Sequence, residues 1–247
     1  MDFLIYRMRG PLASWGVSLS GNERASHPFP TKSASLGLLG ACLGIQRDDP
    51  RVDAFYQGYG AACRVDATGT VLKDFHTAQM PKKSVMKELD TGYFTRAALL
   101  EKAKDAKKET ENTVLSDREY YQDAWYRGCV WVKNPAAPFS LEEIQEALLQ
   151  PAYMPFLGRK CCTLSMPLSP AIVQAESPVE ALTRPLDEDL LKLIHPHLDF
   201  PPEDATYYWE GVFPGIVPRR QAKIRDEVIS RSRWLFADRV VYSRRGI

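Results

Sequence analysis

The residues best placed to do chemistry cluster at the start of a helix. Pro30-Thr31-Lys32-Ser33 sets two hydroxyls and an ammonium beside the free amides of a first helical turn, an arrangement that attracts a phosphate. The pattern GxxxxGK[ST] is absent, so this is not the phosphate loop of a nucleotide hydrolase. Further along the same helix Gly37, Gly40, Ala41 and Gly44 share one side, while Leu36, Leu39 and Leu43 share another. A glycine in a helix interior costs about 1 kcal/mol against alanine, so three of them need a reason. Close approach supplies it, whether by the protein's own sheet, a nucleic acid or another subunit.

Signals for catalysis are thinner. His76 stands at a strand end beside Lys73, Asp74 and Thr77; with Lys82 or Lys83 and Tyr120 or Tyr121 it can be assembled into an acid–base set for RNA cleavage. A hydrogen-bonded structural histidine is the reading favoured for His76. His27 lies in the first loop, and His195 and His197, near Asp199, have a spacing of two that suits helix-borne metal binding poorly. The five cysteines, at 42, 63, 129, 161 and 162, form no CxxC pair, and no HExxH or GxSxG motif occurs. No metal and no cofactor are therefore expected. Aromatic and basic residues do interleave: Trp15 in the first loop, Tyr120, Tyr121, Trp125 and Tyr126 after Arg118, then Tyr153, Phe156, Arg159 and Lys160. Unpaired bases stack on such rings while cations take the phosphates. Trp125 reads first as strand core, since it alternates with buried-type positions, whereas Trp15 follows Gly-Pro in a polar loop.

The elements that must carry these residues follow from pattern. Phe3 to Met8 reads as a first strand, ended by Gly10-Pro11, and Leu12 to Pro30 as a polar loop. Thr31 or Ser33 caps a helix running to about Gly44. Gly60 to Asp66 and Thr70 to Phe75 are strands around a turn at Ala67-Thr68-Gly69. Thr77 to Asp117 is lysine-rich, with one charged helical stretch at about Thr95 to Glu109, and reads as an inserted arm. Ala124 to Val132 is a strand; Ser140-Leu-Glu-Glu143 is a capping box opening a helix through Leu149. A later strand near Leu164 or Ile172 would complete a βαββαβ layer. The expected fold is α+β: a ferredoxin-like (RRM-type) domain with an antiparallel sheet over 1–76 and 118–166, a thumb arm at 77–117, and a proline-rich C-terminal β extension at 167–247 with strands near Tyr207 to Val212 and Arg239 to Ser243.

Composition bounds the function class. The 247 residues are 45% hydrophobic and 26% charged, enough apolar material for a core and too much for disorder. Charge interrupts the N-terminal stretch too early for a signal peptide, and the longest apolar run, Leu36 to Ile45, is about half the ~20 residues of a membrane helix. A cytoplasmic protein with no membrane association is expected. The formal net charge is only +1, yet Pro218 to Ile247 carries nine basic residues against three acids, and Leu186 to Glu210 seven acids against one lysine. The basic stretch is a local attraction for phosphates or simply a solvated surface.

Several blocks, in order along the chain, resemble a known family: Gly10-Pro-Leu-Ala-Ser-Trp-Gly16, Pro30-Thr-Lys-Ser33, Gly37-Leu-Leu-Gly-Ala-Cys-Leu-Gly-Ile-Gln-Arg-Asp-Asp49, Asp74-Phe-His-Thr77, Arg118-Glu-Tyr120 and Tyr153-Met-Pro-Phe-Leu-Gly-Arg-Lys-Cys161. They are similar to the Cas-five family of the type I-E CRISPR surveillance complex, Cascade, within the RAMP superfamily. The resemblance implies a non-catalytic RNA-binding subunit that holds the 5′ handle of the CRISPR RNA. Its implied partners are the backbone subunits along the guide and the large subunit, with target DNA reached indirectly through the complex. The arm would be a thumb that keeps the RNA kinked between handle and guide. In the related type I-C branch the corresponding subunit is itself a metal-independent endoribonuclease with a Tyr/Lys/His set, which is the alternative. The implied RNA contacts are Ser14, Trp15, Gly16, Arg24, Thr31, Lys32, Ser33, Gly37, His76, Arg118, Tyr121, Gly158, Arg159 and Lys160. Among them Arg24, Lys32, Arg159 and Lys160 would neutralise phosphates, amides near Ser33 would cradle another, and Trp15 and Tyr121 would stack on bases.

Overall fold

A computed structural model describes residues 1–17, 22–80, 112–187, 193 and 200–246. Its elements, in chain order, are β1 (Asp2–Arg9), β2 (Leu12–Ala13), β3 (Trp15–Gly16), β4 (Glu23–Arg24), β5 (Ser26–His27), α1 (Lys32–Cys42), α2 (Val52–Gly58), β6 (Tyr59–Ala67), β7 (Thr70–Met80), β8 (Asn112–Gln122), β9 (Trp125–Val132), α3 (Leu141–Leu149), β10 (Ala171–Gln174), α4 (Pro178–Ala181), β11 (Thr206–Trp209), β12 (Arg220–Ser230) and β13 (Leu235–Arg245). They divide into two units, one of Met1–Ser18, Ser26–Leu72 and Tyr120–Ile247, the other of Leu19–Ala25 and Lys73–Glu119.

The larger unit is built on a seven-stranded sheet in the order β10-β1-β9-β6-β11-β13-β12, with every neighbouring pair antiparallel. β1 is buried from Phe3 to Met8, apolar there except for Arg7, because alternate residues feed two cores. Leu4, Tyr6 and Met8 pack with Leu36 and Leu39 of α1, Phe55 of α2 and Ile144 of α3. Phe3 and Ile5 pack on the other face with Trp131, Tyr207, Trp209 and the α4 residues Val179 and Ala181. Full burial of such side chains contributes roughly 1.5–3 kcal/mol each. The helices begin where their caps dictate. Thr31 accepts the Ala34 amide at 3.3 Å, and at α3 the Ser140 hydroxyl and Glu143 carboxylate form the reciprocal capping box.

The structure is thus mixed α and β with antiparallel sheets and few helices, as expected, with several departures. The polar loop Leu12 to Pro30 contains short strands: β3 pairs with β5, Trp15 opposite His27, and β2 with the end of β8. Gly69, at φ +71°, makes the expected turn, but β6 and β7 do not pair; β6 lies between β9 and β11, while β7 pairs with β8. α2 and the basic strand β12 are additions. In the smaller unit β4 runs parallel to β8, with Arg24 opposite Arg118, and Lys73 pairs with Glu119 at 3.3 Å. The helical stretch Thr95 to Glu109, Lys82, Lys83, His195, His197 and Asp199 lie outside the described residues. No helix among the described residues is long and apolar enough to cross a membrane.

Candidate functional site

At the amino end of α1 the expected anion site exists and the protein fills it itself. The Lys32 amide donates to Asp226 Oδ2 at 2.8 Å, and Arg239 holds the same carboxylate in a fork at 2.6 and 3.0 Å. The Lys32 ammonium is 2% exposed and lies 2.9 Å from Glu227 and 3.1 Å from Glu210. Glu210 also accepts the Ala61 amide at 3.0 Å. Lys32, expected to neutralise a phosphate, is therefore a buried structural cation that ties α1 to β6, β12 and the residue after β11. A buried charge is kept only with partners, and these carboxylates are the partners. Ser33 remains at the half-buried rim, its hydroxyl 3.3 Å from that of the buried Thr31.

Trp15 is corrected in the same way. Expected to stack on a base, its ring is fully buried and meets Tyr126 edge-on, with centroids 5.4 Å apart. Strand alternation is the reason: in β3 Trp15 points inward, and Gly16 is exposed. Ser14 is buried as well, its amide donating to the Leu157 carbonyl at 3.0 Å. That contact brings the two predicted segments 14–16 and 158–160 together. Gly158, at φ +87°, lies so close that a Cβ would sit 1.8 Å from the Ser14 carbonyl oxygen, so only glycine fits. Beyond it Arg159 stacks over Tyr120 at 4.6 Å, and Lys160 is exposed. Tyr121, half-buried, pairs opposite Ala13. The glycine side of α1 meets α2: a Cβ on Gly37 would stand 3.5 Å from the Tyr56 hydroxyl, and one on Gly40 3.4 Å from the Phe55 ring. That side of α1 thus faces the protein's own helix at ordinary contact distance, where a methyl group would also fit.

What stays open is a groove of about 390 Å³, lined by Gly16, Val17, His27, Ser33, Lys223, Ile224, Arg225, Asp226 and Phe236. Its volume falls within the ~300–1,000 Å³ typical of ligand sites. β3 contributes a bare backbone at Gly16, where a Cβ would meet nothing within 4 Å. α1 contributes the Ser33 hydroxyl, and β12 contributes the exposed Lys223 and Arg225. Among the described residues no carboxylate lies within ion-pair distance of either cation. Asp226 is present but already neutralised by Lys32 N–H and Arg239. Burial holds the His27 imidazole below its ordinary pKa; Asp226 opposes that shift and Arg239 adds to it. The wall is thus a neutral imidazole, a hydroxyl, a glycine and two unspent cations, which together suit a phosphate–sugar chain.

Sequence reasoning placed Gly16 and Ser33 here and missed Lys223, Arg225 and Phe236. The signal was present as the nine basic residues between Pro218 and Ile247. Arg24, exposed, Arg118, half-buried, and His76, whose Nδ1 is 4.0 Å from Asp74, belong to the smaller unit. Among the described residues no group of three or more His, Cys, Asp or Glu is arranged to hold a metal.

A family model described as CRISPR-associated protein (Cas_Cas5) matches residues 3–231. The chain is 33% identical over 190 residues, 73% of this chain and 75% of the relative, to the CRISPR system Cascade subunit CasD of Escherichia coli (strain K12). Among solved structures it is similar to a chain of a CRISPR RNA-guided surveillance complex, with TM-score 0.62 and 25% identity over 99% of this chain and 88% of that one. A second, titled crystal structure of Cas protein, shares the fold with TM-score 0.55 at 22% identity, over 98% of this chain and 93% of that one.

Proposed function

The chain belongs to the CRISPR-associated Cas5 family, and from that premise we propose that it is a non-catalytic subunit of a type I-E Cascade that binds the 5′ handle of the CRISPR RNA. The observation that carries the reading is the groove in which Gly16, Ser33, Lys223 and Arg225 converge. In this account the handle's phosphates lie against Lys223 and Arg225, and its sugar chain approaches the bare Gly16 backbone. Arg159, Lys160, Tyr121 and, in the smaller unit, Arg24, Arg118 and His76 provide further contacts. The order β10-β1-β9-β6, with α1 and α3 on one face, supports a ferredoxin-like layer, and the smaller unit serves as the thumb. The subunit caps the filament of backbone subunits, meets the large subunit, and reaches target DNA only through the assembly, in the cytoplasm.

Titration of the full chain with handle RNA over a range of salt concentrations tests this. Each of Lys223→Ala and Arg225→Ala weakens binding and reduces the salt slope by about one. Unchanged slopes in both variants contradict the reading. In EDTA, repeat-containing RNA stays intact with this protein; specific cleavage lost in His76→Ala would favour the endoribonuclease alternative.

A further inference from the structure

We propose that Trp234, flanked by Arg47 and Arg231, is a stacking site for a base of single-stranded nucleic acid where the strand leaves the groove past Phe236. The inference rests on the groove being a nucleic-acid interface and extends it to a part of the chain outside the predicted contacts.

Of the five tryptophans in the sequence, Trp15, Trp125, Trp131 and Trp209 are buried, whereas Trp234 is 55% exposed. It sits in the turn between β12 and β13 at φ +52°, a conformation that bulky L-residues rarely adopt. An indole held both strained and in water is doubly costly, and such features persist where a ligand uses them. The turn is fixed from below: the Arg231 amide donates to Asp53 Oδ1 at 2.7 Å, and the Trp234 amide to the Arg231 carbonyl at 3.3 Å. Two guanidinium groups lie against the indole, Arg231 at 4.4 Å and Arg47 at 5.1 Å from the ring centroid. Arg231 also lies 5.6 Å from the Tyr56 ring. The Phe236 ring, 6.4 Å from that of Trp234, is itself a wall of the groove, so the two surfaces are continuous.

An exposed indole with two guanidinium groups over its ring, which can swing to the flanking phosphates as a base takes their place, matches one unstacked base. A duplex offers a free base face only at its two ends, so a long duplex should be largely excluded. The guide RNA and a target DNA strand share this chemistry.

Intrinsic fluorescence of the full chain separates them, because Trp234 is the exposed indole. The chain is titrated with handle RNA, with DNA of the same sequence, and with a blunt duplex. Both single strands, or one of them, quench the emission while the duplex does not; a quench by RNA alone assigns the base to the guide, by DNA alone to a target strand. Trp234→Leu loses the quench and binds about tenfold more weakly, and Trp234→Phe loses the quench but keeps most of the affinity. Unchanged affinity in Trp234→Leu, with Lys223→Ala and Arg225→Ala weakened, overturns the stacking site and leaves the groove reading standing. The reverse pattern overturns the groove reading and, with it, the placement of the stacked base at the groove's exit. Trp234→Leu that impairs assembly with other subunits at unchanged nucleic-acid affinity makes this a protein-docking surface and overturns the proposal.

Discussion

Lys32 shows how a side chain's role is decided far from its own position. Its type and place at a helix start announce a phosphate ligand, but Glu210 and Glu227, 178 and 195 residues away in sequence, close around it. Removing the ammonium leaves buried carboxylates facing one another, so Lys32→Ala should lower the unfolding free energy by about 3–5 kcal/mol. Handle-RNA salt slope should stay as in the unaltered protein wherever the variant is folded. Denaturant unfolding and a salt titration check the two halves; a stable variant with a reduced slope would restore Lys32 as a phosphate contact. His27 makes a prediction of opposite origin. Its imidazole ordinarily titrates at 6.5, and burial lowers that value in the folded state. Above 6.5 it is neutral in both states and costs nothing. As pH falls below 6.5 the unfolded chain takes up the proton first, so stability is lost down to the folded pKa. The unfolding midpoint should drop between pH 7.5 and 5.5, and His27→Gln should flatten that drop; an identical profile in the variant contradicts the assignment.

At the scale of elements, local signals were legible and long-range ones were not. The Ser140–Glu143 capping box and the Thr31 cap each act within four residues, and both helices begin where the sequence places them. Strand β10 forms at Ile172, one of the two places expected. β12 was invisible because charged residues dominate its outward positions, as suits an edge strand, and its apolar residues, Ala222, Ile224, Val228 and Ile229, do not alternate strictly. α2 carried a readable signal, Val52, Phe55 and Tyr56 at helical spacing. The C-terminal segment is held to the sheet by polar groups no pattern reveals. Asp66 lies 2.5 Å from Arg64 and 3.1 Å from Arg127, and these arginines donate to the Leu182 and Arg184 carbonyls respectively. Burial raises the Asp66 pKa against the pull of Arg127 and Arg64. Asp66→Asn leaves two guanidinium groups without their counter-charge and should cost about 3–5 kcal/mol in denaturant unfolding, beginning with exposure of the C-terminal segment to limited proteolysis. Wild-type stability in that variant would mean that apolar packing alone holds the segment.

For the whole molecule, a net charge of +1 conceals a division of labour. Three acids of the C-terminal region are turned inward, Glu210 and Glu227 onto Lys32 and Asp226 onto Arg239, while Asp238, opposite Arg225 in the ladder, stays exposed. Lys223 and Arg225 are left facing the groove, which is the asymmetry that nucleic-acid binding requires. Family resemblance was legible in the motif blocks, and Gly16 and Ser33, singled out in the sequence, line the candidate groove. The pairing of that region with a strand some 190 residues downstream required the folded sheet. The most direct test is zero-length photocrosslinking of a guide RNA carrying 4-thiouridine at each handle position, in the reconstituted surveillance complex, with crosslinked peptides identified by mass spectrometry. Crosslinks to the segments bearing Gly16, Ser33 and Lys223 to Arg225 are predicted. A handle that crosslinks efficiently elsewhere while all three segments stay silent would contradict the account.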